Sequence, residues 1–150
     1  MNLKKILLRK GYIVIKLKAT KTNHYELKAK INGIKGRFIL DTGASNSCVN
    51  LKDISFFKLI ALDSKTKAAG AGAIDMPTQQ SNGNKLSING WKTKAFQLVL
   101  FDLSHVNQAL TKHNAKAVNG IIGADILQKG NAIIDYNKNR LYLKRLIYKY

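Results

Sequence analysis

One carboxylate-bearing turn suggests most of the chemistry in this chain. Residues 41–45 (Asp-Thr-Gly-Ala-Ser) follow directly on the apolar run Phe-Ile-Leu at residues 38–40. A carboxylate at the point where a buried strand ends and the backbone turns tightly is poorly solvated, which suits Asp41 to acid–base catalysis. Because Asp and Gly are also common in ordinary turns, the segment alone does not establish a site.

A second segment strengthens that interpretation. Residues 120–127 (Gly-Ile-Ile-Gly-Ala-Asp-Ile-Leu) place two apolar residues between glycines and lead into a predicted helix. The chain contains only one Asp-Thr-Gly turn. Catalytic machinery that needs two carboxylates would therefore take the second from another copy of the chain.

The other candidate residues favour no nucleotide, metal or thiol chemistry. The Gly/Ala tract at residues 68–73 lacks the flanking strand and helix of a dinucleotide fingerprint, so we interpret it as a flexible hairpin tip. His24, His105 and His113 are too widely spaced to predict a metal site. Cys48 lies in an apolar, strand-like stretch, which is typical of a buried structural thiol. We expect no metal and no cofactor.

Short strands and tight turns must position these residues. Apolar residues alternate along residues 12–17 and 25–31, as in half-buried strands. Asn32-Gly33 is a strong hairpin signal, and the return strand at residues 34–40 leads into Asp41. Two more hairpins are predicted, around Asn89-Gly90 and residues 137–139. Short helices are predicted after Asn50, from Asp102 or Ser104, and from about Ala124. The pattern predicts an all-β fold with two or three short helices.

Composition bounds the class of protein. The chain has 150 residues, of which 45% are hydrophobic and 8% aromatic, so we predict one folded domain over residues 1–150. Apolar runs stop well short of the ~18–20 residues that a membrane span requires. The basic segment at about residues 1–11 has an apolar stretch too short for a secretory signal. With a single cysteine, we expect a cytoplasmic protein with no membrane partner.

The net charge of +18, from 26 Lys and Arg against 8 Asp and Glu, leaves two interpretations open. Clustered basic residues bind nucleic acids through their phosphates. Here arginine is scarce, the lysines are spread along the chain and no aromatic–basic recognition motif occurs, so a solvated lysine-rich surface is favoured. The densest basic stretches, residues 4–18 and 138–149, are the candidates for a polyanion contact.

Taken together, these segments resemble the retropepsin-type aspartic proteases, including their bacterial single-lobe members. The resemblance covers about residues 20–145 through three motifs in order: the Asp-Thr-Gly turn, a glycine-rich hairpin at residues 69–73, and Ile-Ile-Gly at residues 121–123. It implies a retropepsin-like closed β-barrel with one lobe per chain. It also implies a homodimer that acts as an aspartic endopeptidase on peptide or protein substrates.

The resemblance further implies roles for the matching residues. Asp41 and its copy in a second chain would form the catalytic dyad, with Thr42 bracing the turn and Gly43 binding the substrate backbone. The residues expected to contact substrate are Ala44, Ser45, Ala69, Gly70, Ala71, Gly72, Ala73, Ile121 and Ile122. The surrounding residues predict an apolar cleft and therefore substrates with hydrophobic residues around the scissile bond.

One departure from the family pattern concerns the support of the dimer. Retroviral members carry an acidic residue at the position of Ser45 and an arginine at that of Ala124, and this ion pair is absent here. Asp125 is expected to bond locally at its helix start instead. Two alternatives stay open: a catalytically silent binding or dimerisation module with this fold, and a basic nucleic-acid-associated protein.

Overall fold

The computed structural model describes residues 2–63, 68–70, 73–76 and 78–146, which are mostly β-structure with three α-helices. The helices are α1 (Leu3–Arg9), α2 (Ser104–Lys112) and α3 (Ala124–Lys129), and a 3-10 helix spans Leu51–Asp53. The strands are β1 (Tyr12–Lys16), β2 (Lys18–Ala19), β3 (Tyr25–Ile31), β4 (Ile34–Leu40), β5 (Cys48–Asn50), β6 (Leu62–Asp63), β7 (Ala68–Gly70), β8 (Ala73–Met76), β9 (Gln79–Ile88), β10 (Trp91–Phe101), β11 (Gly120–Ile122), β12 (Ile133–Asp135) and β13 (Arg140–Lys144). None of the described helices has the length and apolar character needed to cross a bilayer.

Six strands close into a barrel in the order β3-β4-β11-β5-β10-β9. Strand β9 pairs back with β3 through Lys30↔Ser87 and Ile31↔Leu86, which completes the ring. Strand β11 runs parallel to β4 and antiparallel to β5, so it lies between the two strands that flank Asp41 in the sequence. The predicted closed β-barrel with one lobe per chain is confirmed.

Two tight turns set the register of the long strand pairs. Asn32 and Gly33 join β3 to β4 with φ of 52° and 83°, and Asn89 and Gly90 join β9 to β10 with φ of 45° and 90°. Positive φ at both central residues is the requirement of a type I′ turn, whose twist matches that of its strands. Both Asn-Gly predictions are confirmed.

Large apolar side chains fill the barrel. Leu27, Ala29 and Ile31 alternate inward along β3, as the period of two in the sequence predicts. Phe38 of β4 is fully buried, and its ring centroid lies 6.1 Å from that of Phe57. Because full burial of such a side chain contributes roughly 1.5–3 kcal/mol, the strand that leads to the candidate site is firmly held.

A smaller sheet, β1-β13-β12, brings the two ends of the chain together and confirms the predicted closing hairpin. The single tryptophan, Trp91, is fully buried, and its Nε1–H donates to the Lys144 carbonyl oxygen at 2.8 Å. This hydrogen bond joins the barrel to the end of β13.

Helix α1, which was not predicted, packs on β1 and buries Leu7. Its first turn is capped by the Asn2 side chain, which accepts the Lys4 N–H at 2.9 Å. Basic side chains from both ends of the chain line one cavity of about 950 Å³ together with Asp135; they are Lys4, Lys5, Arg9, Lys138 and Arg140. The two basic stretches that are separate in the sequence are therefore neighbours in the fold.

Candidate active site

Asp41 is the first residue after β4, where that strand lies beside β11. The Asp41 N–H donates to the Ile122 carbonyl oxygen at 3.0 Å, one residue beyond the Leu40↔Ile122 pair of the β4–β11 ladder. The Asp41 side chain is half-buried. Two strands of the closed barrel thus fix the backbone position of this carboxylate.

The turn is closed by hydrogen bonds to Asp41. The Gly43 N–H donates to Asp41 Oδ1 at 2.9 Å, and the Ala44 N–H donates to the Asp41 carbonyl oxygen at 3.2 Å. Among the described residues, none donates to Asp41 Oδ2. The turn therefore orients the carboxylate through one oxygen.

The Ile-Ile-Gly segment lies beneath this turn. The Ala124 N–H donates to the Ala44 carbonyl oxygen at 2.7 Å, and a Cβ on Gly123 would lie 2.6 Å from that same oxygen. Glycine is needed here because the two backbones approach so closely. Ile121 is nearly buried and lines the cavity in front of the turn, whereas Ile122 is 1% exposed and packs in the barrel core.

A buried serine and an aspartate join the end of the turn to α3. Ser47 Oγ donates to Asp125 Oδ1 at 2.7 Å and accepts the Gly123 N–H at 2.9 Å. The Ser47 N–H donates to Asp125 Oδ2 at 2.9 Å, and Asp125 Oδ1 also accepts the Ile126 N–H, as predicted for its helix start. These bonds link the end of the Asp41 turn to the start of α3, the two segments that an ion pair at the positions of Ser45 and Ala124 would link in the retroviral members. Ser47 was not predicted, because its only signal is a polar residue before an apolar strand.

Ser47→Ala should destabilise the fold by roughly 1–3 kcal/mol, because it leaves the buried Gly123 N–H without its acceptor and removes one of the two donors to Asp125 Oδ1. Ser45→Ala is the matched control: the same change on an exposed side chain should cost less than about 0.5 kcal/mol. Urea unfolding of both variants measures the difference. Equal stabilities would show that the serine–aspartate network does not support the site.

Cys48 follows Ser47 and pairs with Ile121 across β5 and β11. Burial raises the pKa of the Cys48 thiol to about 12; a backbone hydrogen bond at Ile121 opposes this rise, and the charges of Asp125 and Asp41 add to it. The thiol is therefore protonated at neutral pH and is a poor nucleophile. The prediction of a buried structural thiol is confirmed.

Thiol labelling at pH 8 should accordingly be at least about 100-fold slower for native protein than for unfolded protein. The same burial predicts that stability falls as the pH rises from about 9 towards 12. In that range the unfolded chain releases the Cys48 proton while the folded chain keeps it, so unfolding is favoured. Native labelling as fast as that of the unfolded chain would contradict the burial of this strand.

Asp41 faces a cavity of about 650 Å³. Its apolar lining consists of Ile39, Val106, Ala109, Leu110 and Ile121. Its polar lining consists of Asp41, Lys21, Thr22, Asn23, His24, His105 and His113. The cavity therefore has a buried apolar floor and an exposed polar rim, and the apolar substrate cleft stays a prediction. All three histidines line this cavity, because the fold brings the connection between β2 and β3 next to α2.

Asp41 and Thr42 also line a second cavity, of about 350 Å³. Ile134 and Tyr136 of the closing hairpin contribute to its wall, and the Tyr136 side chain is 73% exposed. An exposed aromatic side chain thus lies close to the candidate site.

The glycine-rich hairpin is present as a pair of antiparallel strands, β7 and β8. Ala69, Gly70 and Ala73 belong to these strands, whereas Ala71 and Gly72 lie outside the described residues. Its role as a lid stays a prediction. Over the described ranges, no three His, Cys, Asp or Glu side chains come close enough to hold a metal ion.

A closed barrel with one lobe per chain and an Asp-Thr-Gly turn seated on Ile-Ile-Gly defines the retropepsin-like class of aspartic proteases. The chain belongs to the aspartyl protease family, whose model matches residues 27–126. No curated protein sequence matches the chain.

Solved structures share this fold at low sequence identity. A retropepsin-like aspartic protease from Rickettsia conorii is 19% identical with a TM-score of 0.57, and the match covers 89% of this chain and 90% of that one. The retroviral protease-like domain of Ddi1 from Leishmania major is 18% identical with a TM-score of 0.55, covering 86% and 92%. The EIAV protease in complex with the inhibitor HBY-793 is 19% identical with a TM-score of 0.56, covering 79% and 98%.

Proposed function

We propose that this protein is a cytoplasmic aspartic endopeptidase that acts as a homodimer, with one catalytic Asp41 from each copy. The observation that carries the proposal is the Asp41 turn, whose carboxylate is oriented by Gly43 and faces a 650 Å³ cavity. Family and fold support the protease class. The free, buried thiol of Cys48 is consistent with a reducing compartment.

Two Asp41 side chains facing each other across a two-fold axis would share one proton, because two adjacent carboxylates do not both ionise. The ionised member takes a proton from a water molecule held between them, and the neutral member donates a hydrogen bond to the scissile carbonyl oxygen. The water oxygen attacks the carbonyl carbon, and the departing amine nitrogen then receives a proton from the dyad. Because the pair titrates as a unit, cleavage should show a bell-shaped pH dependence with an acid-to-neutral optimum.

The rest of the turn holds the dyad and the peptide in this scheme. Thr42, which is exposed next to Asp41, would form a hydrogen bond to its copy across the axis. A Cβ on Gly43 would lie next to the Asp41 carboxylate, so the glycine leaves room there for the substrate backbone. Ala44 and Ser45 would contact the peptide directly after the turn.

Elements around the turn complete the proposed site. The β7–β8 hairpin would close over a peptide bound as an extended strand. Ile121 would contact the peptide from the cavity floor. The apolar surface of Ile134 and the exposed Tyr136, beside Thr42, is suited to contact the second copy.

One set of samples tests both the dimer and the activity. Sedimentation equilibrium measures the mass across protein concentrations, and mass spectrometry of a digested peptide library measures cleavage in the same samples. Specific activity should rise with the dimer fraction. A protein that stays monomeric and cleaves nothing would favour the silent binding module, and cleavage by a strict monomer would overturn the shared dyad.

A further inference from the structure

We propose that the cavity in front of Asp41 selects substrates with an acidic side chain, glutamate in particular, beside the scissile bond. This inference rests on the proposed protease function, because the cavity is taken to hold a side chain of the peptide being cleaved. It replaces the expectation of a purely hydrophobic preference, which the sequence suggested.

The charged side chains that line the cavity are basic apart from Asp41. Lys21 and His24 come from the connection between β2 and β3, while His105 lies in the first turn of α2 and His113 directly follows its end. These are all three histidines of the chain. Because these basic side chains come from two separate elements and line one cavity, their fields add where a bound side chain would lie.

The floor of the cavity explains why glutamate fits better than a shorter acid. Ile39, Leu110 and Ile121 are at most 5% exposed, whereas the basic side chains are exposed. A glutamate stem can cover this apolar floor with its methylene groups while its carboxylate reaches the basic rim. Glutamine has the same shape without the charge, so a Glu–Gln pair of peptides isolates the electrostatic contribution.

Helix α2, which carries His105 and is followed by His113, is firmly attached to the barrel. Asn107 of α2 donates to the Val118 carbonyl oxygen at 3.1 Å and accepts the Val118 N–H at 2.8 Å, and both bonds are buried. Leu103 and Leu110 anchor the same helix in the core. The basic rim is therefore held in place before a ligand arrives, which is what a selective subsite requires.

Two polar contacts lie beside the basic rim. His24 Nδ1 is paired with the neutral Thr22 hydroxyl at 2.8 Å. Asp102, near His105, is hydrogen-bonded by Ser104; these bonds lower the pKa of Asp102, and the His105 charge adds to that effect. Asp102 lies outside the lining, so it does not compete for the space in the cavity.

The preference should be lost at low pH. A glutamate in a flexible peptide keeps its negative charge down to roughly pH 4.3. The attraction should therefore disappear below that value, because the substrate is neutralised.

Paired peptides that differ only by Glu or Gln, scanned over the positions flanking the cleaved bond, test the proposal. At one position kcat/KM should favour Glu about tenfold at pH 5.5. The combined variant His24→Gln, His105→Gln and His113→Gln should reduce the ratio at pH 5.5 to about two. Lys112→Gln, on the same helix but outside the lining, should leave the ratio unchanged. A ratio near one at every position, or one that the triple variant does not alter, would overturn the proposal.

Binding to the Asp41→Asn protein separates this proposal from the protease function. Fluorescence anisotropy with labelled Glu and Gln peptides measures their binding affinity without cleavage. Cleavage with no Glu preference would leave the protease function standing and remove the acidic subsite. No cleavage by the wild type, together with tighter binding of the Glu peptide to the Asp41→Asn protein, would leave the acidic subsite standing and remove the protease function. Equal binding of the two peptides would remove the subsite whatever the activity.

Discussion

Replacing Asp41 with asparagine should lower kcat/KM for peptide cleavage by a factor of roughly 10³ or more and leave the barrel folded. Asparagine has nearly the same size, and its Oδ1 can still accept the Gly43 N–H, so the turn is preserved. It cannot take a proton from water or carry the charge that the dyad shares. Cleavage of a reporter peptide and the thermal unfolding midpoint measure the two outcomes separately.

Mixtures of wild-type and Asp41→Asn chains sharpen this test. If every site takes one carboxylate from each copy, activity at fixed total protein should fall as the square of the wild-type fraction. After subunit exchange, an equimolar mixture would then keep about a quarter of the activity, whereas independent sites would keep about half. An asparagine variant that cleaves at the wild-type rate would remove Asp41 from the mechanism.

Gly120→Ala should be the most destabilising single-methyl change around the site, at about 3 kcal/mol or more. Gly120 lies in β11 between β4 and β5, and a Cβ there would overlap the Cys48 carbonyl oxygen and lie 2.9 Å from the Phe38 ring. A carbonyl oxygen in a central strand cannot move without its strand, so no change of rotamer relieves the overlap. Urea unfolding measures the loss.

Gly43→Ala is the matched control for that prediction. A Cβ on Gly43 would lie 3.3 Å from Asp41 Oδ1, with no other described atom within 4 Å beyond its chain neighbours. We expect a change of less than about 1 kcal/mol in the free energy of unfolding. If the two glycine variants unfold at the same urea concentration, β11 is not the rigid floor that supports the turn.

The parts of the site that are contiguous in the chain could be predicted from the sequence. The Asp41 turn, the Asn32-Gly33 hairpin and the Ile-Ile-Gly segment each depend on neighbouring residues, whose backbone preferences are local. The closed barrel was indicated by the resemblance to retropepsin-type proteases, which rests on the Asp-Thr-Gly turn, the glycine-rich hairpin at residues 69–73 and the Ile-Ile-Gly segment, in that order.

Contacts between distant segments could not be predicted in this way. Ser47 and Asp125 are 78 residues apart, and no periodic pattern in the sequence predicts a hydrogen bond between these two side chains. His24, which lines the same cavity as His105 and His113, was treated as unrelated to them for the same reason. Helix α1 was missed because its Leu3 and Leu8 stay exposed, so its amphipathic pattern is weak.

Trp91 gives the chain an optical reporter that is independent of the candidate site. It is the only tryptophan, it is fully buried, and its indole N–H is bonded to the Lys144 carbonyl oxygen at the end of β13. Detachment of the terminal sheet would expose the indole to water and shift its emission to longer wavelength. Because Trp91 lines neither cavity beside Asp41, peptide binding should leave that emission unchanged. Undocking of the chain ends can therefore be followed spectroscopically while cleavage proceeds.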